Sequence, residues 1–145
     1  MAVTVKKITL WRCEVDNRPG SLADTLEPLA DTGLDLQVLM GYGYPGRPDQ
    51  AAIELFPVSG KKPTSAARSG GLNASAIPTL LVQGDNRAGL GYSLARALAE
   101  AGINIDFLVA QVIGRKYSAV FGFGSEPDAA KAATLIKKTA GGKKR

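Results

Sequence analysis

One stretch of this chain is written twice. Asp16-Asn17-Arg18-Pro19-Gly20 recurs as Asp85-Asn86-Arg87-Ala88-Gly89, and at the same offset Leu29-Ala30-Asp31-Thr32-Gly33-Leu34-Asp35-Leu36 aligns with Leu98-Ala99-Glu100-Ala101-Gly102-Ile103-Asn104-Ile105. A duplication spanning a loop, a helix and a strand predicts two copies of one small unit rather than one undivided core. The expected division is 1–75 and 76–145, with a basic, disordered tail from about residue 140. A unit of this size buries only about 60% of the surface its unfolded chain exposes, so it is marginal alone. Each copy is therefore expected to lean on the other and on a second chain, giving at least a homodimer.

Within each copy the pattern reads strand, helix, strand, strand, helix. Ile8 to Val15 alternates, with Trp11, Cys13 and Val15 on one face and Arg12 and Glu14 on the other; Leu80 and Val82 are the counterparts. Leu22, Thr25, Leu26 and Leu29 have helical spacing, as do Leu94, Ala95, Leu98 and Ala101. Gly33 and Gly102 fall where a helix needs a left-handed C-cap. Leu34, Leu36, Val38 and Met40 then alternate, as do Ile103, Ile105, Phe107 and Val109. Gly41–Gly46 and Gly114–Lys116 read as turns, before third strands at 51–56 and 118–123. Ser125-Glu126-Pro127-Asp128 opens a last helix with Ala129, Ala132, Ala133 and Ile136 inside.

Three places resist this pattern. Pro28 stands inside the first helix, where it removes a hydrogen bond. Lys61–Ser75, rich in Gly, Ser and Pro, reads as a short helix plus a flexible linker. The second copy ends at Ala140 without an evident fourth strand, an edge that Val3–Lys7 could fill.

Composition narrows the chemistry. The chain has no histidine and one cysteine, which removes His-based acid–base and nucleophilic catalysis, imidazole metal sites, an intrachain disulfide and a zinc cluster. No catalytic residue, metal or cofactor is expected. No apolar run approaches the ~20 residues of a membrane span, and no secretory signal is seen, so a cytoplasmic protein is expected. The net charge of +5 owes much to Lys131, Lys137, Lys138, Lys143, Lys144 and Arg145, read as a solvated end; nucleic acid is not an expected partner.

The duplicated loop is where function is sought. Asp and Asn favour turns, Gly20 and Gly89 let a ligand approach the backbone, and the following helix offers free N–H groups and a positive dipole end. A carboxylate could dock there while Asp16 or Asp85 holds an ammonium, which suits a zwitterion such as a free amino acid. The plainer alternative is a pair of strand-to-helix turns with Asp or Asn as caps.

With these residues in view, Val15–Leu39 and Gly84–Leu108 resemble the ACT domain family, most closely at Gly102-Ile103-Asn104-Ile105. The resemblance implies an α+β fold of two tandem ferredoxin-like βαββαβ units, each an antiparallel sheet covered by helices on one face. It implies a non-enzymatic regulatory protein that binds an amino acid or other small metabolite where such domains pair, and that acts on a regulated enzyme or other protein. The site would use Asn17, Pro19, Gly20, Ser21 and Leu22, with Asn86, Ala88, Gly89 and Leu90; Gln37, Val38, Asn104 and Ile105 would face the partner domain. The second loop departs from the pattern at Ala88 and at Gly91, which weakens the helix start.

Three rivals are weighed against it. One is a ligand-free oligomerisation and interaction module. Another is an acylphosphatase, suggested by Val82-Gln83-Gly84 with Asn86 and Arg87. The third is a nucleic-acid-binding sheet, which would need exposed aromatics among basic residues.

Overall fold

The computed structural model describes residues 3–141, and the chain divides into two compact units. The first spans Thr9–Ala76. Its elements are β2 (Trp11–Asp16), α1 (Ser21–Ala30), β3 (Val38–Tyr44), β4 (Arg47–Phe56), α2 (Lys61–Ser69) and β5 (Asn73–Ala74), after an N-terminal strand β1 (Val3–Ile8). They form a βαββαβ unit whose antiparallel sheet runs β3-β4-β2-β5. The second contains β6 (Thr79–Asp85), α3 (Leu90–Glu100), β7 (Ile105–Ile113), β8 (Lys116–Phe123) and α4 (Glu126–Gly141). Its sheet runs β1-β6-β8-β7, all antiparallel.

The two sheets therefore have the same order, but their fourth strands come from different places. In the first unit β5 follows α2 and pairs with β2 through Trp11–Ala74 and Arg12–Asn73. In the second, β1 crosses from the N-terminal side and pairs with β6 from Val3–Gly84 to Ile8–Thr79. Residues 3–8 thus belong with the second repeat, and the boundaries expected at 1–75 and 76–145 shift accordingly. The fold is α+β, two ferredoxin-like units with helices on one sheet face.

Each core lies between that face and its helices. Trp11, Cys13, Ile53 and Leu55 pack with Leu29, Ala67 and Leu72 in the first unit. In the second, Leu80, Val82, Tyr117, Ala119, Phe121 and Phe123 meet Leu94, Leu98, Ala129, Ala132 and Ile136. Ser125 caps α4, its hydroxyl accepting the Asp128 amide at 3.2 Å. Pro28 is held inside α1, two residues before the helix ends. Gly33 and Gly102, after α1 and α3, have φ of 76° and 75°.

Several expectations are corrected. Lys61–Ser75 is no linker: α2 buries Ala67, sets Arg68 over the Trp11 ring at 5.3 Å, and delivers β5. Gly41-Tyr42-Gly43-Tyr44 is strand, and the turn is confined to Pro45-Gly46. Leu34 and Leu36 precede β3 and pack on the core without being strand. Ala140 and Gly141 belong to α4, and Ala140 is buried, while the tail at Lys143–Arg145 lies outside the described residues.

The alternation through Ile105, Phe107 and Val109 also fails. A register shift between Ile105 and Phe107 leaves Ile105 against the core and turns Phe107 to the helix-free face. There Phe107 opposes Gly122, as Val38 opposes Phe56 in the first unit, so the large residue has changed strands. A Cβ on Gly122 would lie 2.0 Å from the Phe107 ring. Gly122→Ala must displace that ring, and a loss of about 1–3 kcal/mol is expected from such overpacking, read as a lower urea midpoint at unchanged far-UV circular dichroism. An unchanged midpoint would show that the ring moves freely.

Candidate functional site

The first loop sits between the end of β2 and the start of α1, and hydrogen bonds fix its course. The Asn17 amide donates to the Asp49 carbonyl at 2.9 Å, and the Asn17 side chain donates to the Pro48 carbonyl at 3.0 Å. Ser21, itself buried, donates from its hydroxyl to the Asp16 carbonyl at 2.6 Å. Gly20 at the N-cap has φ 94° and ψ −18°, a left-handed conformation that favours glycine. This bend lets the chain turn directly into α1. The Leu22 and Ala23 amides in the first turn have no intrahelical acceptor.

A cavity of about 300 Å³ opens beside this loop. Asp16, Asn17, Arg18, Ser21 and Leu22 line it from the loop, and Val15, Ala51, Ile53, Gly41 and Gly43 line it from the sheet. The two glycines make the room. In the sheet Gly41 opposes Ile53 and Gly43 opposes Ala51, so both would point side chains toward the helices had they any. A Cβ at Gly43 would come within 3.1 Å of the Asn17 amide nitrogen.

Four of the expected residues, Asp16, Asn17, Ser21 and Leu22, meet at this cavity. Leu22 was expected in the core, but it is 43% exposed, and Ser21 takes the buried position. Pro19, Gly20, Gln37 and Val38 do not line the cavity. The strand contribution was missed because Gly41-Tyr42-Gly43 reads as a turn; glycines alternating with tyrosines was the signal available.

The second loop keeps the frame but engages its charges. The Asn86 amide donates to the Arg115 carbonyl at 2.9 Å, and Gly89 has φ 80°. Asp85 is ion-paired to Lys116 at 2.6 Å. Arg87 donates to the carbonyls of Ala140 and Thr139 at 3.1 and 3.3 Å, closing the end of α4. An arginine so placed is not cradled by its own loop, as the acylphosphatase reading requires. Leu90, the counterpart of Ser21, is buried in the core, Ala88 follows Arg87 in the loop, and Asn104 donates to Asp106 at 3.1 Å.

A polar network covers the helix-free face of the first unit. Tyr42 donates to Glu54 Oε2 at 2.5 Å, Arg12 approaches the same carboxylate at 3.7 Å, and Arg12 also donates to the Tyr44 hydroxyl. Tyr44 in turn donates to Glu14 at 2.8 Å. That bond, with the guanidinium groups of Arg47 and Arg12, holds the Glu14 carboxyl below its ordinary range, while burial and the bond to Glu54 push the Tyr42 phenol up. Glu54 is only 4% exposed, and its Oε1 accepts no hydrogen bond among the described residues. Tyr42→Phe removes a donor from this buried carboxylate and is expected to cost about 1–3 kcal/mol in chemical denaturation. A variant as stable as the parent would show that Arg12 alone supports Glu54.

The sequence matches no protein-family model and no curated protein. Solved structures do match the fold. Protein BT0572 from Bacteroides thetaiotaomicron is 15% identical with a TM-score of 0.72, covering 92% of this chain and 98% of that one. The ligand-free regulatory subunit of aspartate kinase from Thermus thermophilus is 16% identical with a TM-score of 0.65, covering 96% and 97%. The aspartate kinase of Clostridium acetobutylicum is 13% identical with a TM-score of 0.63; 95% of this chain matches 34% of that one. At these identities the likeness is one of fold. Among the described residues no helix is long and apolar enough to cross a membrane.

Proposed function

We infer that this chain is an ACT-type regulatory module without catalytic activity, which binds a free amino acid at the loop of its first repeat. The observation that carries this reading is the cavity beside the copied Asp-Asn-Arg-Pro-Gly loop, walled by Asp16 on one side and by the start of α1 on the other. Asp16 offers an acceptor for an ammonium, engaged only by a 3.5 Å contact from Gln50. The first-turn amides and the positive helix end offer donors for a carboxylate. A volume of about 300 Å³ lies at the small end of ligand pockets, which run from roughly 300 to 1,000 Å³. The resemblance in fold supports a regulatory role, since this chain matches nearly all of a kinase regulatory subunit and about a third of a whole kinase.

The second loop, with Asp85, Asn86, Ala88, Gly89 and Leu90, enters the proposal as a relative of the first site. Gln37, Val38, Asn104 and Ile105 are proposed to face a partner domain, and a regulated enzyme is the proposed downstream partner. A homodimer completes the reading. At the edge of its sheet β7 exposes Leu108, Val109, Val112 and Ile113, an apolar row with unpaired backbone that invites a second strand.

A thermal-shift screen against the twenty amino acids tests the ligand. At 100 times its dissociation constant, a ligand stabilises the fold by about 2.7 kcal/mol, a rise of several degrees. Gly20→Val should abolish that shift, with circular dichroism confirming a folded variant; a folded variant of full affinity refutes the placement. The assembly is tested separately. Sedimentation of the 15.1 kDa chain should give at least a dimer, and Val109→Lys with Ile113→Lys should give the monomer. A parent chain that sediments as a monomer at micromolar concentration overturns the dimer.

A further inference from the structure

We propose that the two copies are no longer equivalent: the first repeat alone takes the amino acid, it selects an aliphatic side chain, and Tyr117 closes the corresponding place in the second. This rests on the amino-acid reading above and adds which site works and what it selects.

The strand registers define the correspondence. In the first unit one row across the sheet is Gly43, Ala51 and Val15; in the second the matching row is Val112, Tyr117 and Gly84. The next row is Gly41, Ile53 and Cys13 against Ala110, Ala119 and Val82. Where the first copy places glycine, glycine and alanine beside its loop, the second places alanine, valine and tyrosine. Gly84 gives back the volume of Val15, but a phenol ring is far larger than a valine side chain. Tyr117 is 6% exposed and packs in the core with Leu90 and Val82. The space that the first copy leaves open is side chain in the second.

The polar groups agree with the packing. In the second loop the acid is held by Lys116 and the arginine by the end of α4. In the first, Asp16 has no ion pair among the described residues, while the Asn17 amide group, the Ser21 hydroxyl and the Arg18 guanidinium have partners within the loop and its neighbours: the Pro48 carbonyl, the Asp16 carbonyl, and Asp24 with the Pro19 carbonyl. An ammonium on Asp16 and a carboxylate on the Leu22 and Ala23 amides use what is left. The remaining wall is Val15, Leu22, Ala51 and Ile53, which offers a ligand side chain no polar partner. A polar side chain would be desolvated there without compensation, whereas an aliphatic one gains by burial.

The test is isothermal titration of the full chain with L-valine, L-isoleucine and L-leucine, and with L-threonine, L-aspartate and L-lysine. One aliphatic molecule should bind per chain, and the polar amino acids at least ~10-fold more weakly, as an unpaired buried polar group demands. Ala51→Tyr, which copies the second repeat into the first, should abolish binding, a weakening of at least ~100-fold from an overfilled site. Should that variant not fold, Gly41→Ala serves instead, because its Cβ would meet only the Ala52 carbonyl, at 4.0 Å. It copies Ala110 and should weaken aliphatic binding while preserving stability. Two molecules per chain, a folded Ala51→Tyr chain of parental affinity, or, where that variant does not fold, a Gly41→Ala chain of parental affinity overturns the asymmetry. Tighter binding of a polar amino acid overturns the side-chain selection. If the parent binds none of them, the amino-acid reading itself fails and this inference with it.

Discussion

One backbone hydrogen bond, made twice, sets the frame on which both loops are built. The Asn17 amide reaches the Asp49 carbonyl and the Asn86 amide reaches the Arg115 carbonyl, each at 2.9 Å. Each bond pins the end of a central strand to the hairpin beside it, and the glycine that follows in a left-handed conformation then swings the chain into a helix. A groove beside the hairpin is the geometric result. Whether the groove stays open is decided elsewhere, by side chains on strands that never touch the copied motif in sequence. Frame and filling are separable, so one duplicated loop can serve as a binding site and the other as masonry.

The second copy shows what that second use looks like. Arg87 answers the carbonyls at the end of α4, where the helix dipole favours a cation. Lys116 neutralises Asp85. On the opposite sheet face, Arg12, Glu14 and Glu54 of the first copy give way to Leu81, Gln83 and Val120, with Leu81 and Val120 buried. The motif letters survive while their physical work has moved from a cleft to the stability of the fold.

Much of this was legible in the sequence. The constant offset carried the two units, the loops, the helices and the left-handed glycines, because each is a local pattern repeated. What escaped was non-local or was marked by an absence. Gly41 and Gly43 form a cavity by lacking side chains, and a run of alternating glycines signals a turn more readily than a strand wall. The shift at Asp106 turns Phe107 over, which a strict period of two cannot foresee. Lys61–Ser75 has the composition of a linker, yet the small buried faces of Ala67 and Leu72 anchor it as helix and strand. The partner of β1 could only be guessed from a missing edge.

That strand has a consequence in time. β1 is synthesised ahead of the whole first repeat, and the strand it pairs with, β6, comes after it. Domains generally fold as units as they emerge, the N-terminal first. Here the first repeat has all its own strands and can close as soon as β5 is made, while β1 waits with an unsatisfied edge. The second repeat is finished only when the chain's earliest strand returns to it. The newest part of the protein is thus completed by its oldest, and for the length of one repeat the chain carries an open strand edge that a chaperone or a neighbouring nascent chain can occupy.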